Sequence, residues 1–163
     1  MSFKIVGLKE GFDKIAKKRL QENLEKNVRR ALNRSGLIVA GKAKERIQRG
    51  PHTGKIYEKY NPRRTHQASA PGQSPATDTG FLVSNIKHKT VQRNGQDLEM
   101  VVASSAPYSD FLEFGTRNMA ERPFLQPSLD ESAKNIQKIF ASESLIKKWV
   151  QVVLHYKKQF IQD

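Results

Sequence analysis

YSDFLEFGTRNMAERPFLQPSL, residues Tyr108 to Leu129, is the most constrained run in the chain. Tyr108, Phe111 and Leu112 fall at i, i+3 and i+4, the spacing that places three apolar groups on one helix face. Pro107 suits the first turn of that helix, where its missing N–H costs nothing. Gly115 follows Phe114 and supplies the left-handed residue that ends a helix. Pro123 and Pro127 then bracket Phe124 and Leu125, and each proline fixes its own φ and pushes the preceding residue toward extended geometry. The segment Arg122 to Gln126 thus reads as an extended strap leading to a new helix near Pro127.

Upstream of this run, Asn94-Gly95 is the strongest hairpin turn signal, because both residues tolerate positive φ. It joins a strand over about 86–93 to one over about 97–104, with Leu98, Met100 and Val102 alternating onto one face of the second. Phe81 to Ile86 reads as either a helical turn or the start of that first strand. Further back, apolar residues from Phe12 through Leu20, Val28, Ala31, Val39, Ala43 and Ile47 step by threes and fours. They predict a helix over about 11–49, about 55 Å long and longer than a small domain is wide. Gly36 and Gly41 mark a bend in it or a close approach by another backbone. Met1 to Leu8 alternates weakly, as an edge strand or arm. Downstream, a helix over about 127–141 presents Leu129, Ala133, Ile136, Ile139 and Phe140, and a further helix over 144–161 presents Leu145, Trp149 and Val153.

Between the long helix and the hairpin lies GPHTGKIYEKYNPRRTHQASAPGQSPATDT, residues 50–79. Its Pro, Gly, Ser and Thr content predicts an exposed loop, with a hairpin around Tyr57 to Tyr60; loops of this length are functional or disordered. The result is an α+β chain read as one domain over 1–163. A long N-terminal helix packs on a small antiparallel hairpin with C-terminal helices, the core spanning about 11–141.

The chain has 163 residues, no cysteine, a net charge of +13 and 37% hydrophobic residues. Disulfide and thiolate chemistry are excluded, and no apolar run suits a signal peptide or a membrane span. The basic balance points to a polyanionic neighbour, which is nucleic acid, a membrane surface or an acidic protein, with DNA or an acidic protein expected. Lys55, Tyr57, Lys59, Tyr60, Arg63, Arg64 and His66 interleave basic and aromatic groups, as a protein contact loop or a nucleic-acid platform would.

Motifs for chemistry are weak. Asp78-Thr79-Gly80 spells the aspartic-protease triplet, but a single copy lacks the second carboxylate and its upstream flank is loop. Gly50-Pro51-His52-Thr53-Gly54-Lys55 is one residue short of a phosphate-binding loop, and Ile56 replaces the magnesium-holding hydroxyl. His52, His66, His88 and His155 have no metal-ligand spacing. Glu113 lacks an accompanying nucleophile or paired acid, so an interface role is expected for it. No enzyme, metal or cofactor is predicted.

The pattern Tyr108, Leu112-Glu113-Phe114-Gly115-Thr116, then Arg122-Pro123-Phe124-Leu125-Gln126-Pro127-Ser128-Leu129 resembles the head–tail joining (tail-completion, neck) proteins of long-tailed bacteriophages and prophages. The run Gln67 to Ala76, closed by Asp78-Thr79-Gly80-Phe81-Leu82, is similar to that family's proline-rich loop, and Thr53-Gly54 follows the long helix as in the family. The resemblance covers roughly Phe12 to Ala141. It implies a small α+β subunit, assembled in the host cytoplasm into a virion ring, a hexamer, that completes the tail end and joins it to the DNA-filled head. Its implied partners are itself, connector, adaptor or stopper proteins, tail terminator or tail-tube proteins, and DNA as a non-specific neighbour in the lumen. Phe111, Phe114, Phe124 and Leu125 would form the core of an anchor box with Tyr108, Leu112, Gly115, Pro123 and Pro127. Residues 50–79 and the face Leu145, Trp149, Val153 would be the interfaces. A tail terminator, a minor tail protein and a basic nucleic-acid-binding module are the alternatives.

Overall fold

The computed structural model of the chain describes residues 8–93 and 97–142. The order is α1 (Leu8–Arg49), β1 (Ile56–Tyr60), β2 (Arg63–Gln67), α2 (Phe81–Asn85), β3 (Ile86–Arg93), β4 (Asp97–Ser104), α3 (Ser109–Phe114) and α4 (Leu125–Ser142). The fold is α+β, with two separate antiparallel pairs, β1–β2 and β3–β4. The expected N-terminal arm and C-terminal helix lie outside the described residues, except that Leu8 already belongs to α1.

α1 runs for 42 residues, roughly 63 Å at 1.5 Å per residue. Among its described side chains, those from Ala16 to Arg30 are exposed or half-buried, and burial begins at Ala31. Ala31, Val39, Ala40, Ala43 and Ile47 are buried, whereas Leu20 stays 41% exposed. β3, β4 and α4 all pack on α1. The core gathers Ala40, Ala43 and Ile47 with Leu82, Ile86, Ala106 and Phe124, and Val83, Val102, Leu112 and Leu125 close around it. The alanines keep the helix surface shallow, so neighbouring elements come close. Gly36 takes this furthest: an added Cβ would lie 2.4 Å from Met100 Sδ and 3.1 Å from His88 Cβ. The β3–β4 pair rests on bare helix backbone there. No such approach exists at Gly41, where nothing lies within 4 Å.

The β3–β4 register runs from Ile86 opposite Ser104 to Arg93 opposite Asp97, as the alternation of Leu98, Met100 and Val102 requires. The Asn94-Gly95 turn lies outside the described residues.

The 108–129 stretch departs from its expected packing in an instructive way. α3 is a six-residue helix with Tyr108 as its N-cap, so Pro107 precedes the helix rather than opening it. Its inward positions are Ser109, Leu112 and Glu113, again at i, i+3 and i+4, but one residue on from the apolar triple. Tyr108, Phe111 and Phe114 therefore face outward, 41%, 57% and 78% exposed. Phe111 and Phe114 are not core residues; Phe124, fully buried, is. Gly115 ends α3 at φ 73°. A side chain there would also collide with the returning chain, 2.8 Å from the Met119 carbonyl and 2.9 Å from the Glu121 amide nitrogen.

Glu113 is turned inward rather than toward an interface. Its carboxylate accepts from the backbone N–H groups of Phe124 (2.8 Å), Leu125 (3.0 Å) and Gln126 (2.8 Å). These are donors at the start of α4, which a helix cannot satisfy internally. The next residue, Pro127, has no N–H to satisfy. Every donor of the first turn is thus accounted for, and a negative charge sits where the helix dipole favours one. α4 consequently begins at Leu125, two residues before the expected start.

The buried face of α4 is also not the expected one. Leu129 is 46% exposed and Ala133 is exposed. Ile139 is buried as expected, and Ile136 and Phe140 are half-buried, but Ser128 and Ser132 turn inward in place of Leu129 and Ala133, the two serines 0% and 1% exposed. Each serine donates to the carbonyl four residues back, Ser128 to Phe124 and Ser132 to Ser128, so its hydroxyl is satisfied within the helix. Arg46 of α1 pairs with Glu131 of α4 across this contact.

Candidate assembly interface

Residues 50–79 divide into two parts. β1 and β2 form a hairpin, closed by a turn with a cis Asn61–Pro62 bond. The residues after it are fixed against the domain rather than loose. Ser69 and Ser74 are buried, Gly72 N–H donates to the Glu121 carbonyl, and Thr77 N–H to that of Ile47. The Gln73 amide fastens the root of the hairpin: its oxygen accepts from the Thr53 and Ala70 N–H groups, and its nitrogen donates to Thr53 Oγ1.

Among the described residues the hairpin has little cover. Its strands pack chiefly on each other, and Ile56, Tyr57 and Tyr60 are 61%, 47% and 75% exposed. Lys55 Nζ stands 5.5 Å from the Tyr57 ring centroid, within cation–π range. Lys59 lies directly opposite Arg64, a like-charge pairing that destabilises a two-stranded ladder. Asp78 resolves it. One carboxylate oxygen accepts from Lys59 and the other from Arg64 Nη2 at 2.7 Å. The aspartate of the Asp78-Thr79-Gly80 triplet therefore anchors the hairpin. The Lys59 hydrogen bond, with the Arg64 charge adding to it, holds the Asp78 carboxyl below its ordinary value.

A group so depressed contributes its anchoring fully above the ordinary carboxylate range and loses it only as pH falls through the lowered value. Hairpin amide resonances are expected to hold steady through the ordinary carboxylate range and to shift below it. In Asp78→Asn that low-pH step should vanish, and trypsin should cut after Lys59 and Arg64 several-fold faster at neutral pH. Unchanged cleavage would show that Asp78 does not hold the hairpin.

A second feature lies between α1, β4, α3 and α4: an open cleft of about 860 Å³. Leu32 and Val39 of α1, Phe114 of α3 and Leu129, Ile136 and Phe140 of α4 make it apolar. Among the described residues its ionisable lining is Glu99, Asp110, Glu113 and Glu121, all acidic, with no Lys or Arg. On a chain of net charge +13 this is a local inversion of sign.

Compared with known families, the chain matches the one described as "Bacteriophage HK97-gp10, putative tail-component" over residues 10–115. The chain belongs to the HK97-gp10-like family. It is thereby a phage tail component. No curated protein and no solved structure matches it. The HK97-gp10-like match takes in α1, the hairpin, β3–β4 and α3 through Gly115, so Arg122 to Leu129 lies beyond it.

Lys55, Tyr57, Lys59, Tyr60, Arg63, Arg64 and His66 all lie on or beside the hairpin of this HK97-gp10-like chain, with Tyr57 opposite His66 and Tyr60 opposite Arg63. Of the anchor box, Phe124 is buried and Leu112 and Leu125 pack on the core. Phe81 and Tyr108 form an exposed ring pair with centroids 6.2 Å apart. Leu145, Trp149 and Val153 lie outside the described residues. The cleft was not legible in the sequence because its lining comes from four elements, and only the run Asn94 to Thr116, which has no Lys or Arg, hinted at it. Among the described residues no group of His, Asp and Glu is placed to hold a metal ion, and no described helix is long and apolar enough to cross a membrane.

Proposed function

We propose that this HK97-gp10-like protein is a non-enzymatic structural subunit of a ring, a hexamer, at the phage neck. The ring completes the head-proximal end of the tail and joins it to the DNA-filled head, with DNA passing through its lumen. Its partners are further copies of itself, the connector or stopper proteins on the head side and the terminator or tube proteins on the tail side. The observation that carries this reading is the exposed hairpin. A two-stranded ribbon is marginal by itself in water, and this one exposes two tyrosines and an isoleucine on a protein whose family is a tail component. The exposed and half-buried stretch of α1 from Ala16 to Arg30 supports it in the same way: a helix of this length extends beyond the described core and is suited to a neighbour. The net positive charge suits a DNA-filled lumen without any sequence readout.

Electron microscopy of a lysate from a phage lacking this gene tests the reading. DNA-filled heads beside separate, finished tails are expected. Overlong tails would make the protein a tail terminator instead, and fully joined infectious particles would overturn the neck assignment.

A further inference from the structure

The acidic cleft has a feature that its volume alone does not convey. Six successive residues of β4, Glu99 to Ser104, line it. Side chains of a strand alternate between two faces, so six in a row line one cleft only where the strand presents its edge. Among the described residues β4 has β3 as its only strand neighbour. The cleft thus runs along an open sheet edge, whose backbone N–H and C=O groups are a template for another strand. Its floor is apolar, and its outer acids Asp110 and Glu121 are exposed.

The same chain carries a matching piece. Among the described residues the β1–β2 hairpin is a preformed ribbon with open edges and exposed apolar side chains at Ile56, Tyr57 and Tyr60, and it keeps an excess of cations: Lys55, Lys59, Arg63 and Arg64 against Glu58 and the Asp78 that Lys59 and Arg64 share. Its five-residue strands span about 17 Å, close to the roughly 20 Å of β4 edge that faces the cleft. We propose that the cleft receives the β1–β2 hairpin of a second copy of this chain, which adds a strand to the open edge of β4. The pairing rests on the ring reading above and specifies its subunit contact. Hairpin and cleft are different surfaces, so the contact is head-to-tail, the kind that closes into a ring. Strand addition supplies the backbone hydrogen bonds, and the tyrosines and cations supply the choice of partner. A like-charged polyanion such as DNA would be repelled from this cleft.

The absence of cysteine makes a clean test. Two full-length variants, Tyr60→Cys and Val101→Cys, are mixed and treated with a short bismaleimide, one of them bearing a tag so that mixed dimers are distinguished. Both positions are exposed. Mixed cross-linked dimers are expected at least tenfold above those formed with Leu37→Cys, an exposed position on α1. Adding Glu121→Lys to the Val101→Cys chain should cut the yield several-fold, and Arg63→Glu on its partner should restore it. Light scattering on the same samples separates the failures. An oligomer without the cross-link overturns the hairpin–cleft pairing while the ring stands, and leaves the cleft to another occupant such as residues 143–163. A chain that stays monomeric and unlinked at every concentration overturns the pairing and removes self-association from the functional reading as well.

Discussion

Glu113→Ala is expected to destabilise the protein by about 3 kcal/mol, because one substitution leaves three backbone donors at the start of α4 without their acceptor. Hydrogen bonds to a charged group contribute about 1.5–3 kcal/mol each, and a donor left unpaired in the interior costs about 1–3 kcal/mol. The three bonds are not additive, since the freed N–H groups of Leu125 and Gln126 are only part-buried and water can reach them. Phe124 N–H is buried and has no such relief. A domain of this size loses about 2–4 °C in Tm per kcal/mol, so the midpoint should fall by about 10 °C. Glu113→Gln keeps one acceptor oxygen without the charge and should fall between the two. Urea unfolding of the three proteins measures this directly. A loss below about 1 kcal/mol for Glu113→Ala would mean that α4 starts without the carboxylate.

This cap also explains why the two boxes of the 108–129 stretch occur together. Leu112-Glu113-Phe114-Gly115 supplies the carboxylate and the turn, Pro123-Phe124-Leu125-Gln126-Pro127 supplies the donors, and Gly115 lets the chain fold back between them. The rule that finds helix caps in sequence looks within three or four residues of the helix start. Glu113 stands eleven residues before Phe124, so no local pattern marks it. What was legible follows from periodicity. α1 and β4 repeat at 3.6 and 2.0 over many residues, in the long run ending at Ile47 and the alternation of Leu98, Met100 and Val102, whereas β3 alternates poorly and is located by the Asn94-Gly95 turn instead. α3 has six residues, fewer than two turns, and too little repeats there to tell the face of Leu112 from that of Phe111. The exposed hairpin was half legible: Tyr57 to Tyr60 has strand residues, but Asp78, which neutralises Lys59 and Arg64, is distant in sequence and resembles a turn residue.

The α4 face was misread for a different reason, and a pair of adjacent substitutions separates the two readings. Counting serine as polar puts Ser132 outside and Ala133 inside. In the structure Ser132 is 1% exposed, Ala133 is exposed, and α1 is the helix against which α4 packs. The serine hydroxyl already bonds to the Ser128 carbonyl at 2.7 Å, so toward α1 the residue presents little more than the volume of alanine. Ser132→Ala should cost less than about 1 kcal/mol, since it removes a bond internal to the helix and gains helix propensity. Ser132→Leu inserts three further carbons where the two helices meet and should cost about 3 kcal/mol, the upper part of the range for overpacked cores. It should also loosen the Arg46–Glu131 pair beside it. Ala133→Leu, one residue along, places the same side chain in solvent and should change stability by less than about 0.5 kcal/mol. Denaturant midpoints for the three variants decide the matter. Equal losses from Ser132→Leu and Ala133→Leu, or a larger loss from Ala133→Leu, would mean that α4 is rotated about its axis from the orientation described. The buried serines would then have no part in holding α4 to α1.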